Sequence, residues 1–437
     1  MLDNIKEKIL DNGLKVICLK KSDTPIVSVQ VWYRTGSAWE RDGIRGISHF
    51  LEHMMFRGST NLKSEEHAMK INNVGGHCNA FTAEDVTAYL NSVPQEYLDM
   101  VLGLEAERMS GLSIQRELFD IERKVIIEEF HNYLNNPVAR AFLEFRQEFF
   151  KNHPYSISPL GTLDDLNSIT NEDCRNYYQS HYRPDNAVIV VVGDFSNDSD
   201  LFERVEKHFG SKKAAIINPK KDEEQDVNEW FPAKQRMKRR VDFNVPIFIT
   251  GFPAPASAHN DALSLEILQL VLSGGETGRL HREMVRKDSV AVMVGGMNHT
   301  LRRAGMSVFF AAFTPNISVS KVEKSLNRQI EKIKNGGISK EEFEKVKNTT
   351  LSSRTFELYS ADHIAQRIGF SETIEGSYGR WVERLEALKS LDIDSLVEVA
   401  QKYWDQSKSS TLHLKPKRVN PMLYVAGLFR RFTRKKG

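Results

Sequence analysis

The chain is expected to fold as an α+β protein of two similar domains, each a mostly antiparallel sheet packed with helices. Segments in which apolar and polar residues alternate are followed by segments with helical spacing. The order of those segments then recurs, more faintly, in the second half. With 437 residues, 40% hydrophobic and 27% charged, the chain is long enough for about two to four units with real cores.

Element by element, LKVICLKK and IVSVQVWYRTGS alternate and are rich in β-formers, which predicts a pair of strands ending at Gly36. A helix is predicted at GISHFLEHMMF, Gly46 to Phe56, where Ile47, Phe50, Leu51, Met54 and Met55 keep a helical rhythm. Gly58 stands near its end, where glycine is favoured. GGHCNAFTAEDVTAYLNSVP reads as strand, Tyr97 to Phe150 as a long helical stretch, and NAVIVVVGDF as a buried strand closing the first half. In the second half VPIFITGFPAPASAHNDALSLEILQLVLSGGETGRL repeats strand, loop and helix. DIDSLVEVAQKYWDQSKSSTLHLKP matches NEDCRNYYQSHYRPDNAVIVVVGDF in a helix, an aromatic pair and a final strand.

These patterns place an N-terminal domain at 1–211, a charged, aperiodic linker at 212–230, a related domain at 231–420 and a basic tail at 421–437. The tail mixes Leu423, Tyr424, Val425, Leu428 and Phe429 with Arg430, Arg431, Arg434, Lys435 and Lys436. Contact with an anionic membrane surface, docking of a partner and a merely solvated end are the three readings of it.

A net charge of +2 gives no nucleic-acid footprint. Cys18, Cys78 and Cys174 are far apart and form no CxxC pair, which fits a reducing, cytoplasmic compartment. The first residues lack a secretory apolar core, and no run reaches about 18 apolar residues, so neither a secretion signal nor a membrane-spanning helix is expected.

The chemistry centres on His49, Glu52 and His53. On a helix the two histidines project about 40° apart and all three side chains fall within an arc of about 100°. Two imidazoles one turn apart suit zinc, whose catalytic sites typically use three protein ligands. Glu52, adjacent and not needed as a ligand, fits the role of proton carrier. A polar stripe on an amphipathic helix would look the same until the downstream stretch ELFDIERKVIIEEF is considered. There Phe119, Val125 and Ile126 form an apolar stripe, Glu122 and Glu129 stack two turns apart, and Glu128 points about 100° away.

His49-x-x-Glu52-His53 followed by Glu122-Arg123 and Glu129 resembles the inverzincin metallopeptidases, the family of pitrilysin, insulin-degrading enzyme and the mitochondrial processing peptidase. NAFT at Asn79 to Thr82, NHPYSISPLG, YRPDNAVIVVVGD and GGETGRLHREM extend the resemblance along nearly the whole chain. It implies one zinc per chain held by His49, His53 and Glu129, with Glu52 as general base and Glu122 orienting a liganding histidine. It also implies an edge strand carrying Asn79, Ala80 and Phe81 that takes the peptide substrate as an added strand. His77 is set aside as a ligand, since three are already assigned. The fold implied is one half of a clamshell chamber.

One departure stands out. Members whose second half completes the site carry an arginine and, seven residues on, a tyrosine that hold the substrate carbonyl. Aligned on Gly278-Arg279-Leu280, those positions hold Val285 and Val292 here, neither with a side-chain donor. Arg286 is one residue off. The resemblance therefore implies a partner of the same family that lacks the zinc motif and supplies the pair. The expected function is the catalytic subunit of a zinc metalloendopeptidase. The alternatives are a non-catalytic assembly subunit sharing the fold and a peptidase dedicated to one precursor.

Overall fold

The computed structural model describes residues 4–212 and 234–418; the tail at 421–437 and nearly all of the linker at 212–230 lie outside the described residues. The first half runs β1 (Lys6–Ile9), β2 (Lys15–Lys20), β3 (Ile26–Tyr33), α1 (Ile47–Met54), α2 (Glu66–Asn73), β4 (His77–Thr82) and β5 (Thr87–Pro94). It continues through α3 (Leu98–Gly111), α4 (Arg116–Asn135), α5 (Pro137–Phe149), α6 (Leu163–Ser168), α7 (Asn171–His181), β6 (Ala187–Gly193) and α8 (Asp198–Phe209). After the linker come β7 (Arg236–Val241), β8 (Ile247–Ala254), α9 (Asp261–Ser273), β9 (Met293–Thr300) and β10 (Gly305–Ala312). The chain then forms α10 (Val319–Lys334), α11 (Lys340–Glu357), α12 (Ala361–Ile374), α13 (Gly379–Ser390), α14 (Ile393–Tyr403) and β11 (Ser410–Pro416).

The α+β expectation holds. One sheet has the order β1-β2-β6-β3-β5-β4 and the other β7-β11-β8-β10-β9. Each is antiparallel except for one pair, β2 with β6 and β7 with β11. Valines of β3 and β6, among them Val29, Val31 and Val190, are buried in the first core. Phe252, Leu268, Phe309 and Trp404 are buried in the second.

By compactness the described residues form two units that are not contiguous in sequence. One takes in residues up to Asn132, those from Ile157 toward the linker, and Arg354–Glu383. The other takes Tyr133–Ser156, the residues from the linker to Ser353, and those from Arg384 onward. In the first unit α12 lies on β3 and β6; in the second α5 packs against β7 and β11.

Two local expectations are refined and one is corrected. The long helical stretch from Tyr97 to Phe150 is helical as expected but is divided into three, α3, α4 and α5. Asn136 caps α5 by accepting hydrogen bonds from the N–H groups of Val138 and Ala139, and Pro137 occupies the first turn, which together start a new helix. The stretch from Gly75 to Pro94 is a hairpin, reversed where Ala83 N–H donates to Val86 at 2.8 Å. On α4 the buried stripe is Phe119, Ile126 and Phe130, and Val125 is exposed.

Candidate metal centre

The amino end of α1 is built with care. Gly46 has φ +97°, open to glycine at little cost, and Gly161 at φ +71° packs on it so closely that a Cβ there would lie 2.2 Å from the Arg45 carbonyl oxygen. The Glu40 carboxylate accepts the N–H groups of Gly46 at 2.7 Å and Ser48 at 2.9 Å, filling two of the open donors of the first turn. Burial pushes Glu40 up to about 7 against the pull of those donors. The Ser48 and Thr35 hydroxyls each meet the buried Tyr177 hydroxyl at 2.8 Å.

α1 docks on α4 through Phe50 stacked on Phe119, ring centroids 4.5 Å apart. The Arg123 guanidinium lies over Phe119 and donates to the carbonyls of Leu166 and Ile169. This packing turns Glu122 and Glu129 toward α1. His49 Nε2 lies 3.8 Å and His53 Nε2 3.5 Å from Glu129 Oε2. Ligand atoms of the three residues all lie within 4.8 Å of one another, and among the described residues no other such group of histidine, cysteine or carboxylate side chains occurs. Glu128 and His77 lie outside it.

Glu122 is buried, and its Oε2 accepts from His53 Nδ1 at 3.1 Å while its other oxygen pairs with Arg57. A carboxylate can only accept, so the His53 proton sits on Nδ1 and the Nε2 lone pair is left toward Glu129. Burial, with the neighbouring His53, lowers His49 to about 4, so its ring is neutral. The His49 Nδ1 atom is buried without a hydrogen-bond partner. Two imidazoles and one carboxylate are a zinc donor set, and the 3.5 and 3.8 Å between the histidine nitrogens and Glu129 are near the separation of about 3.3 Å between tetrahedral ligands 2.0–2.1 Å from an ion. The residues fit the metal.

Glu52 lies beside this group. Burial raises its pKa, and Thr82 Oγ1, at the end of β4, donates to its Oε2 at 2.6 Å. β4 is one of the two outer strands of its sheet. Asn79 is exposed and its Oδ1 accepts the Ala80 N–H at 2.9 Å. Phe81, Ala88 and Trp32 form one cross-strand row, and the Phe81 and Trp32 rings meet edge to face at 5.5 Å over the small Ala88. Trp32 is in turn held by Gly369 of α12, where a Cβ would lie 2.2 Å from its Nε1.

In the second unit Val285 lies in a π-helical turn, His281–Lys287, and packs on the second core. Val292 begins the approach to β9, its N–H donating to Ala312 at 2.8 Å. Arg286 is exposed and pairs with Glu276 at 3.1 Å. The contributions of Glu40, Arg57 and Thr82 have no signature in the sequence. Thr82 closes the NAFT stretch, but its bond to Glu52 spans thirty residues.

Residues 15–163 match the family model described as Insulinase (Peptidase family M16), and residues 168–350 match Peptidase M16 inactive domain. The chain is 30% identical over 414 residues to the zinc protease PqqE of Helicobacter pylori, covering 93% of this chain and 92% of that one. It is similar to the crystal structure of a protease from Helicobacter pylori, with a TM-score of 0.87, 29% identity and coverage of 94% of this chain and 99% of that one. The periplasmic protease PqqL from Escherichia coli shares the fold at a TM-score of 0.74 and 19% identity, over 97% of this chain but 50% of that one.

Proposed function

The chain belongs to the insulinase (M16) peptidase family, and from that premise we propose that it is the catalytic subunit of a zinc endopeptidase that cuts peptides or unfolded segments inside a closed chamber. The observation that carries the proposal is the meeting of His49, His53 and Glu129 at 3.5 and 3.8 Å with Glu52 alongside. One zinc ion held by those three residues would supply Lewis-acid polarisation and a water of lowered pKa. Glu52 then accepts a proton from water and passes it to the leaving amine. Thr82 fixes the direction of the Glu52 carboxylate, and Glu122 fixes the His53 ring and its tautomer.

An extended peptide adds to the outer side of β4 along Asn79, Ala80 and Phe81. Among the described residues no strand pairs with that side. The Asn79 carboxamide releases the Ala80 N–H as the substrate backbone takes it. We place this site in a domain of 1–211, related to a second domain of 231–420, in a cytoplasmic protein; its three cysteines are free thiols. Among the described residues no helix is long and apolar enough to cross a membrane.

Val285 and Val292 support a chamber completed by a second chain with an arginine and tyrosine pair. The recurrence of this fold over half of a longer chain is compatible with two such halves. The test is Glu52→Gln, expected to keep about one zinc per chain and to lose hydrolysis by about a hundred- to ten-thousandfold. Near-normal turnover sinks the mechanism. A purified chain without zinc favours an assembly subunit.

A further inference from the structure

Among the described residues Phe356 and Tyr359 are the most exposed large apolar side chains, at 69% and 71%. Their ring centroids lie 6.3 Å apart on the turn that joins α11 to α12. The turn is fixed from both sides. Glu357, between the two aromatics, accepts from two guanidinium nitrogens of Arg367 at 2.7 and 2.8 Å, a forked pair of defined geometry. Ser360 caps α12 by accepting the His363 N–H. An aromatic pair already held in place loses little freedom when a ligand covers it.

Where the pair stands follows from the course of α12. The cross-strand row Phe81, Ala88, Trp32, Val188 and Lys15 marks the face of the first sheet that α12 covers. Late in the helix, Glu372 meets Lys15 of β2 at 2.9 Å and Gly369 lies against Trp32 of β3. In its first turn, the Asp362 carboxylate accepts from Ser92 of β5 and its carbonyl from Gln30 Nε2 at 3.1 Å. The helix thus crosses the sheet toward β2, and the three residues back from Asp362 to Tyr359 lead the other way, to the β4 side. His77, exposed at the start of β4, is the cross-strand neighbour of Ser92 on that face.

The inference rests on the reading of β4 as the strand to which a peptide adds. A peptide antiparallel to β4 and cut near Glu52 and Thr82 runs its C-terminal side toward His77. From Thr82 to His77 is about 17 Å of strand, or about five residues, and a residue opposite His77 faces α12. Glu357, the carboxylate of the turn, is taken by Arg367, so the pair offers an apolar surface. We infer that Phe356 and Tyr359 anchor an apolar side chain about five residues C-terminal to the cut, so that the protein selects extended peptides with an aromatic or aliphatic residue there.

The experiment takes a labelled peptide whose cut by the wild type is located by mass spectrometry. It is made in two forms, with phenylalanine or glycine about five residues after that cut, and binding of each to Glu52→Gln is read by fluorescence anisotropy. The phenylalanine form is expected to bind about tenfold tighter. Adding Phe356→Ser and Tyr359→Ser should erase that difference while zinc content is kept. Equal binding of the two forms to Glu52→Gln overturns the anchor and leaves the β4 reading standing. A preference for phenylalanine that survives both serine substitutions puts the apolar contact elsewhere and also overturns it. No cut by the wild type, or binding of neither form, overturns the β4 reading and the anchor with it. If the serine substitutions instead turn a dimer into a monomer and leave the preference intact, the pair is an interface between copies and the anchor falls.

Discussion

The two sheets share one plan: β2-β6-β3-β5-β4 in the first answers β7-β11-β8-β10-β9 in the second, with the parallel pair in the same place. Between β3 and β4 the chain forms α1, with His49, Glu52 and His53; between β8 and β9 it forms α9. α9 buries Leu265, Ile267, Leu268 and Leu272 and has no histidine. The same topology thus brings a helix before an outer strand twice, and only one copy has the donors for chemistry. Fold supplies the place, and side chains decide whether anything happens there.

If the second unit differs by lacking donors for the substrate carbonyl, the largest effect lies in completing it. The purified chain should bind zinc yet cleave a quenched peptide slowly, and a partner bearing the arginine and tyrosine should raise kcat/KM by about a hundred- to a thousandfold. Full activity unchanged by dilution or by any partner breaks the comparison. In the first unit, Glu122→Gln should weaken zinc binding by about ten- to a hundredfold, read by competition with a chelator; an unchanged affinity would reduce Glu122 to packing.

A smaller effect tests how the first sheet depends on late sequence. Gly369→Ala places a methyl group against Trp32 and should cost about 1–3 kcal/mol in urea unfolding, with a raised KM as Phe81 shifts and kcat largely kept. Wild-type KM and stability would show that the Trp32 contact yields freely.

The smallest concerns the second unit alone. Burial pushes Glu342 up, but Arg279, the Ser339 N–H and Arg282 together bring it down to about 2, from 4.5. Because the folded value is the lower one, the pair's contribution is fully present above about pH 4.5 and is lost as pH falls through about 2. The melting temperatures of wild type and Glu342→Gln should therefore differ above pH 5 and converge toward pH 2. A gap that does not change with pH would mean that charge plays no part.

Much of the site is legible in the chain because it is local. Residues four or seven apart on a helix share a face whatever surrounds them, so spacing alone pairs His49 with His53 and Glu122 with Glu129. The strand patterns of the two halves recur for the same reason. Breaks are harder: α3, α4 and α5 keep one helical rhythm, and only Asn136 and Pro137 betray one of the two interruptions.

By itself the sequence determined the helix that carries His49, Glu52 and His53, the carboxylates on α4 and the repeated order of strands, all set by periodicity within short windows. Tertiary structure alone decided that Glu40 caps α1, that Thr82 reaches Glu52, and that α12 and α5 lie where chain order would not put them. Those contacts join residues up to hundreds of positions apart, as Gly369 joins Trp32, and burial and close packing select them rather than any local pattern.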